Sequence, residues 1–145
     1  MKISTKGRYA IRVMLELGNY YKSEDPVTVK EISKRNDISD KYLEQIVSML
    51  SKAGLIRSIR GAKGGYILTH DPGSYSVADI LKASEGNLSS VECSELSGEG
   101  CNKKDSCVAI RIWKKLDGAV YEVLNGIKLL DLLEWQSGQS DQYII

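Results

Sequence analysis

The order of elements between residues 28 and 69 constrains this chain more than any other feature. TVKE at 28–31 is a capping box, with Thr28 as N-cap and Glu31 at the third helical position. It opens a helix that runs to about Arg35. NDIS at 36–39 is a tight turn, and Ser39 is the next N-cap. From Asp40 to about Ala53, Leu43, Ile46, Val47 and Leu50 fall on one helical stripe, and Gly54 closes the helix. LIRSIR (55–60) and YILT (66–69) then read as strands on either side of the glycine-rich turn GAKGG (61–65). Two helices joined by a four-residue turn and followed at once by a hairpin can pack in few ways. The pattern predicts a winged helix-turn-helix.

The flanking segments extend this plan. Ser4 or Thr5 caps a first helix in which Ile11, Val13, Met14, Leu15 and Leu17 recur at helical spacing to about Tyr21, before KSEDP ends it. SVADILKASEG (76–86) is a short helix capped by Ser76 with Asp79 three residues on. From about Asp105, Ala109, Ile112, Trp113, Leu116, Val120, Val123, Leu124 and Ile127 describe one amphipathic helix of roughly 20 residues. Gly118 and Gly126 are its weak points, and a short helix over 129–136 precedes a polar tail. The expected fold is mainly α with a small β-hairpin, in three parts. Residues 1–86 form a winged helix-turn-helix DNA-binding domain, 87–107 a cysteine-containing loop, and 108–145 a dimerisation helix and tail.

In such a motif the second helix inserts its opening turns into a DNA major groove while the first crosses the backbone. The base readers are then the residues off the apolar stripe, namely Lys41, Glu44, Gln45 and Ser48. Gln pairs bidentately with adenine, Glu accepts from cytosine N4, and Lys takes a phosphate or guanine. Tyr42 either hydrogen-bonds a phosphate or packs. The hairpin tip is the wing: Gly61 and Gly64 allow close backbone approach, and Arg60 and Lys63 bring positive charge to a groove or to phosphates. GAKGG lacks the GxxxxGK[ST] spacing of a nucleotide-binding loop.

Charge agrees with this reading. Residues 1–70 carry 13 Lys/Arg against 7 Asp/Glu, and residues 71–145 carry 7 against 12, so a nearly neutral chain has a basic first half. That polar, basic face speaks against a protein–protein adaptor, which would present an apolar one. No apolar run approaches the ~18 residues of a membrane span, and MKISTKGRYA has no apolar leader core. The expected location is the cytoplasm, with no membrane partner. With one histidine and no G-x-S-x-G, hydrolytic chemistry has little support, so the chain reads as a non-enzyme.

All three cysteines, Cys93, Cys101 and Cys107, lie in ECSELSGEGCNKKDSC at 92–107, spaced C-x7-C-x5-C. The stretch is too polar and glycine-rich for core packing. A zinc site usually shows a CxxC pair, and none is present. A thiol or disulfide switch is open, and so is an iron–sulfur cluster on three thiolates. Cys107 is expected to open the long helix, where the helix N-terminus stabilises a thiolate.

STKGRYA at 4–10, ISDKYLEQIVSMLSKAGLIRSIRGAKGGYIL at 38–68, and three cysteines ahead of a helix containing IxW together resemble the Rrf-two family of bacterial winged-helix regulators. Within that family the chain is similar to the IscR-like, iron–sulfur members. The resemblance implies a transcriptional regulator, usually a repressor. It further implies a homodimer held by the long C-terminal helices, each packing on the partner's DNA-binding domain, and a pseudo-palindromic double-stranded operator. Glu44, Gln45 and Arg60 match family positions that touch DNA. The cysteine triad matches the members that carry a [2Fe–2S] cluster, and the family's cysteine-metabolism repressors lack it. One departure stands out. Where IscR-like members keep a ligating histidine three residues after the last cysteine, this chain has Ile110, and where nitric-oxide sensors use an Asp of the partner's first helix, it has Arg8. The fourth ligand is therefore open: the only histidine is His70, the local carboxylates are Glu92, Glu95, Glu99 and Asp105, and an external thiol or a partner's Glu16 is a further alternative. The implied role is control of iron–sulfur assembly genes. A thiol or zinc switch, a nitric-oxide sensor and a cysteine-metabolism repressor are the alternatives.

Overall fold

The computed structural model describes residues 2–91 and 106–143. In chain order these form α1 (Thr5–Asn19), α2 (Val29–Asn36), α3 (Asp40–Lys52), β1 (Ile56–Ile59), β2 (Gly65–Leu68), a single 3₁₀ turn (Pro72–Ser74), α4 (Val77–Glu85), α5 (Ile110–Gly126) and α6 (Leu129–Tyr143). Local chemistry sets most of the starts. Ser4 accepts from the Gly7 N–H at 3.2 Å, Ser39 from Tyr42 at 3.2 Å and Ser76 from Asp79 at 3.0 Å. The α1 N-terminus has no acidic residue of its own in the first turn; the Glu85 carboxylate at the end of α4 accepts from the Ser4 N–H at 3.0 Å instead.

At α2 the capping box is complete. Thr28 Oγ1 accepts from the Glu31 N–H at 3.2 Å, and Glu31 Oε2 accepts from the Thr28 N–H at 2.8 Å. That backbone donor holds the Glu31 carboxyl below its ordinary value, with Arg35 adding to the effect. A lowered folded value means the contribution to stability is complete above the ordinary carboxylate range and is lost as pH falls through the folded value. The stability difference between wild type and Glu31→Gln is therefore expected to shrink on acidification below about pH 4, read by denaturant titration at several pH values. A difference that stays constant into acid would contradict the box.

The core lies where α1, α3 and α4 meet the hairpin. Ala10, Val13, Met14 and Leu17 of α1 join Leu43, Ile46, Val47 and Leu50 of α3, with Ile32, Ile56, Leu68 and Ile80. Each of the larger side chains, Val, Leu, Ile and Met, contributes about 1.5–3 kcal/mol on burial. In the antiparallel hairpin Ile56 pairs with Leu68 and Ile59 with Gly65. Val27 adds a one-residue third strand: it exchanges two backbone bonds with Tyr66, at 3.0 and 2.8 Å. Tyr75 is buried and locks the hairpin exit, its hydroxyl donating to Leu55 O and accepting from the His70 N–H, both at 2.8 Å.

The C-terminal helices depart from the sequence reading at both ends. The long helix starts at Ile110, not near Asp105, so Cys107 precedes it by three residues. The reason is the cap: Ala109 holds the N-cap position and has no side chain to accept a hydrogen bond. A turn takes its place, in which the Ile110 N–H donates to Cys107 O at 3.4 Å. Gly118 is carried inside α5 with open space around it, whereas Gly126 ends the helix. The last helix continues to Tyr143 rather than stopping near 136, because SGQSDQ contains no proline and Gly138 keeps a helical backbone. Between the two helices, Val77 N–H donates to Ile127 O at 2.8 Å and Leu129 N–H to Tyr75 O at 2.9 Å. Leu129 is fully buried, and Leu132 and Leu133 pack on the core, so α6 sits on α1 of its own chain.

Candidate nucleic-acid interface and cysteine segment

The α2–α3 turn is built to hold one angle. Asp37 adopts a left-handed conformation (φ 52°), which Asp tolerates better than most residues. Ile38 behind it is buried, and its backbone is tied to Ser33 twice, by Ile38 N–H to Ser33 O at 3.3 Å and Ser33 Oγ to Ile38 O at 2.6 Å. With Leu43, Ile46, Val47 and Leu50 turned into the core, α3 presents Lys41, Glu44, Gln45 and Ser48 to solvent on one face. Tyr42 lies beside that face and is half-buried. Its ring stands edge-on to Tyr9 of α1, centroids 5.8 Å apart at 78°, so it packs.

At the hairpin tip Arg60, Gly61 and Lys63 are exposed and Gly64 is half-buried. Gly61 has φ +116° and space around it, a conformation the turn needs. Gly64 closes the tip from inside: its N–H donates to Gly61 O at 3.0 Å, and a Cβ there would lie 2.6 Å from Ile59 O. Lys41, Arg60 and Lys63 form no ion pair with any described residue; the one ion pair among the described residues joins Arg35 to Glu16 at 2.8 Å.

Of the cysteine triad, only Cys107 is described, half-buried ahead of α5; Cys93 and Cys101 lie outside the described residues, as do Glu92, Glu95, Glu99 and Asp105. Among the described residues no group of three His, Cys, Asp or Glu side chains could hold a metal ion. The positions that would complete the triad are informative. Ile110 is buried at 8% exposure and serves the packing. Glu16 is committed to Arg35 and also accepts from Asn36 Nδ2 at 3.2 Å. The Arg8 guanidinium donates to Thr5 Oγ1 at 2.9 Å, and exposed His70 follows the wing, with its ring 6.2 Å from Tyr75. Three soft thiolates suit iron or another thiophilic metal; of these four side chains Ile110 and Arg8 offer no donor, and Glu16 is already engaged by Arg35 and Asn36.

Two features escaped the sequence reading. Val27 and Gly65 pin the wing to the loop before α2, and Tyr9 with Arg12 forms a platform beside α3. The second had a signal: an aromatic and a cation three apart on the flank of an amphipathic helix meet on one side.

A helix pair with an exposed polar face on its second member, followed by a basic-tipped hairpin, defines a winged helix-turn-helix protein of the nucleic-acid-binding kind. The Rrf2 family model, described as an iron-dependent transcriptional regulator, matches residues 3–135. The chain belongs to the Rrf2 family of transcriptional regulators. It is 41% identical to the HTH-type transcriptional regulator CymR of Bacillus subtilis (strain 168) over 144 residues, covering 99% of this chain and 98% of the relative. The solved structure of CymR, the global cysteine regulator of B. subtilis, superposes with a TM-score of 0.74 at 42% identity, over 93% of this chain and 98% of that one. T. potens IscR does so equally, with a TM-score of 0.74 at 39% identity, over 92% and 87%. The two likenesses in fold do not separate the two kinds of regulator.

Proposed function

We propose that this chain is a cytoplasmic, homodimeric repressor that binds a pseudo-palindromic DNA operator and reports iron–sulfur status through a [2Fe–2S] cluster on Cys93, Cys101 and Cys107. The observation that carries the DNA half is the exposed Lys41–Glu44–Gln45–Ser48 face on a helix whose other side is fully buried. No described helix is long and apolar enough to cross a membrane. Dimerisation is supported by apolar side chains left in solvent along and just ahead of α5: Val108, Ile112, Leu116, Tyr121 and Val123, each at least 41% exposed. Apolar surface of that extent on one helix calls for a partner.

The donor set supports the cluster reading, since three cysteines within fifteen residues match its thiolate requirement. Bound there, the cluster would supply an iron site sensitive to oxidation and nitric oxide. The chain's own residues connect that site to the reading head. Cys107 O holds the first turn of α5 through Ile110 N–H. The segment after α4 is tied to α5 by Ser90 N–H donating to Asp117 Oδ1 at 2.8 Å, and Lys82 of α4 lies 4.5 Å over the Tyr121 ring of α5. In turn α4 packs on α1 and α3. A shift at Cys107 is thus passed through packed helices to the reading helix.

Protein purified without oxygen is expected to hold iron and acid-labile sulfide and to absorb visible light, and Cys107→Ala is expected to lose all three. The same preparation should bind a selected operator duplex, with Gln45→Ala weakening it by about 1–3 kcal/mol per half-site and relaxing base preference, and Arg60→Ala weakening all sequences alike. Colourless protein without iron after reconstitution would remove the cluster. It would favour a second reading as a cysteine-metabolism regulator, which rests on the 41% identity spanning nearly the whole of CymR.

A further inference from the structure

We infer that Arg12 of α1 is a third point of contact with DNA, taking a backbone phosphate beside the opening turn of α3; this rests on the DNA-binding reading above. Two arginines on this side of the domain lie over tyrosine rings, and they differ in one respect. Arg35 sits 5.4 Å from the Tyr20 centroid, and its charge is answered by Glu16 at 2.8 Å. Arg12 sits 5.4 Å from the Tyr9 centroid, is exposed, and has no acidic partner among the described residues. The acid one helical turn along from it is Glu16, whose two oxygens are taken by Arg35 and Asn36.

Position gives the unanswered charge its use. Tyr9 stands edge-on to Tyr42, which lies in the first turn of α3 with its N–H on the Ser39 cap. The Arg12–Tyr9–Tyr42 line therefore leads from an exposed guanidinium to the end of the reading helix that enters the groove. A cation flanking that entry meets the phosphates that border the groove. The ring under Arg12 restricts its side chain before binding, so less freedom is lost on contact. The guanidinium fork suits phosphate oxygens better than an ammonium does. The result is a three-point grip on the duplex: α1, α3 and the wing.

The test uses the full chain and a duplex selected from a randomised pool by the wild-type protein. Arg12→Ala is expected to weaken binding several-fold for matched and mismatched duplexes alike, and to reduce the slope of log affinity against log salt by about 0.9 for each protomer, about 1.8 for the dimer on its operator. Arg12→Lys is expected to restore the slope while recovering only part of the affinity. A merely structural role would leave the salt slope unchanged. An unchanged slope in Arg12→Ala overturns the proposal, whatever other variants do. Gln45→Ala and Arg60→Ala, measured on the same duplex, report separately on the reading surface.

Discussion

Ile46→Ala is expected to cost about 2–5 kcal/mol of stability, because the removed atoms leave a cavity at the centre of a close-packed cluster. Ile46 is fully buried, on the inward side of α3 between the inward-facing Leu43 and Leu50. The cavity would lie on the inner side of the helix that carries exposed Gln45, its neighbour in sequence. In a chain of 145 residues a loss of that size lowers the melting temperature by on the order of 10 °C. Denaturant titration should show a reduced midpoint with an unchanged slope, and operator binding should weaken as α3 loses its seat. A loss below about 1 kcal/mol would mean that the helix is not packed as described.

The second large effect is expected at Gly65. Its φ of +153° is one that side-chain-bearing residues avoid, and a Cβ there would lie 2.7 Å from both the carbonyl carbon and oxygen of Val27. Backbone cannot give way as a flexible side chain can. Gly65→Ala must therefore push Val27 off the hairpin and weaken its two bonds with Tyr66, at about 2–4 kcal/mol. Val27 immediately precedes Thr28, the cap of α2, so the damage reaches the helix pair as well as the wing. The diagnostic measurement is a double-mutant cycle. In the Gly65→Ala background Arg60→Ala should add little to the loss of DNA affinity, because the wing has already moved. Full additivity would show that the wing is positioned by something other than its contact with Val27.

What the sequence disclosed depended on how local each cause is. Ser4, Thr28, Ser39 and Ser76 announced their helices because an N-cap acts within three residues of itself. The exposed face of α3 was legible for the same reason, since a 3.6-residue period separates Lys41, Glu44, Gln45 and Ser48 from the buried stripe without knowledge of the partner surface. The start of α5 was misplaced where the local signal failed, at an uncapped Ala109, and α6 was cut short because a polar helix end looks like a loop. The Val27–Tyr66 pairing spans a single residue across a long loop, below what any periodicity reveals. Tyr9 and Tyr42 could be placed side by side only once α1 and α3 were packed. The cysteine triad was legible as three thiols and a spacing. A fourth donor was not, because Ile110 and Glu16 serve packing and pairing, and sequence alone does not show where a side chain is already engaged.

The backbone bonds at the α5–α6 junction change what α5 can do. Val77 to Ile127 and Leu129 to Tyr75 fasten one end of a 17-residue helix to the body of the domain, while the other end begins at the turn after Cys107. A rod of that length, about 25 Å, turning by roughly 5° about a fixed foot moves its head by about 2 Å and its foot hardly at all. Fastened at that end, the helix would act as a crank if it turned, with its largest stroke beside Cys107 and its fulcrum against the core. In a two-fold assembly joined along such cranks, the quantity that changes with their angle is the separation of the two reading heads, and each head keeps its own base contacts. Half-site spacing, more than base sequence, would then distinguish the operators chosen at different angles.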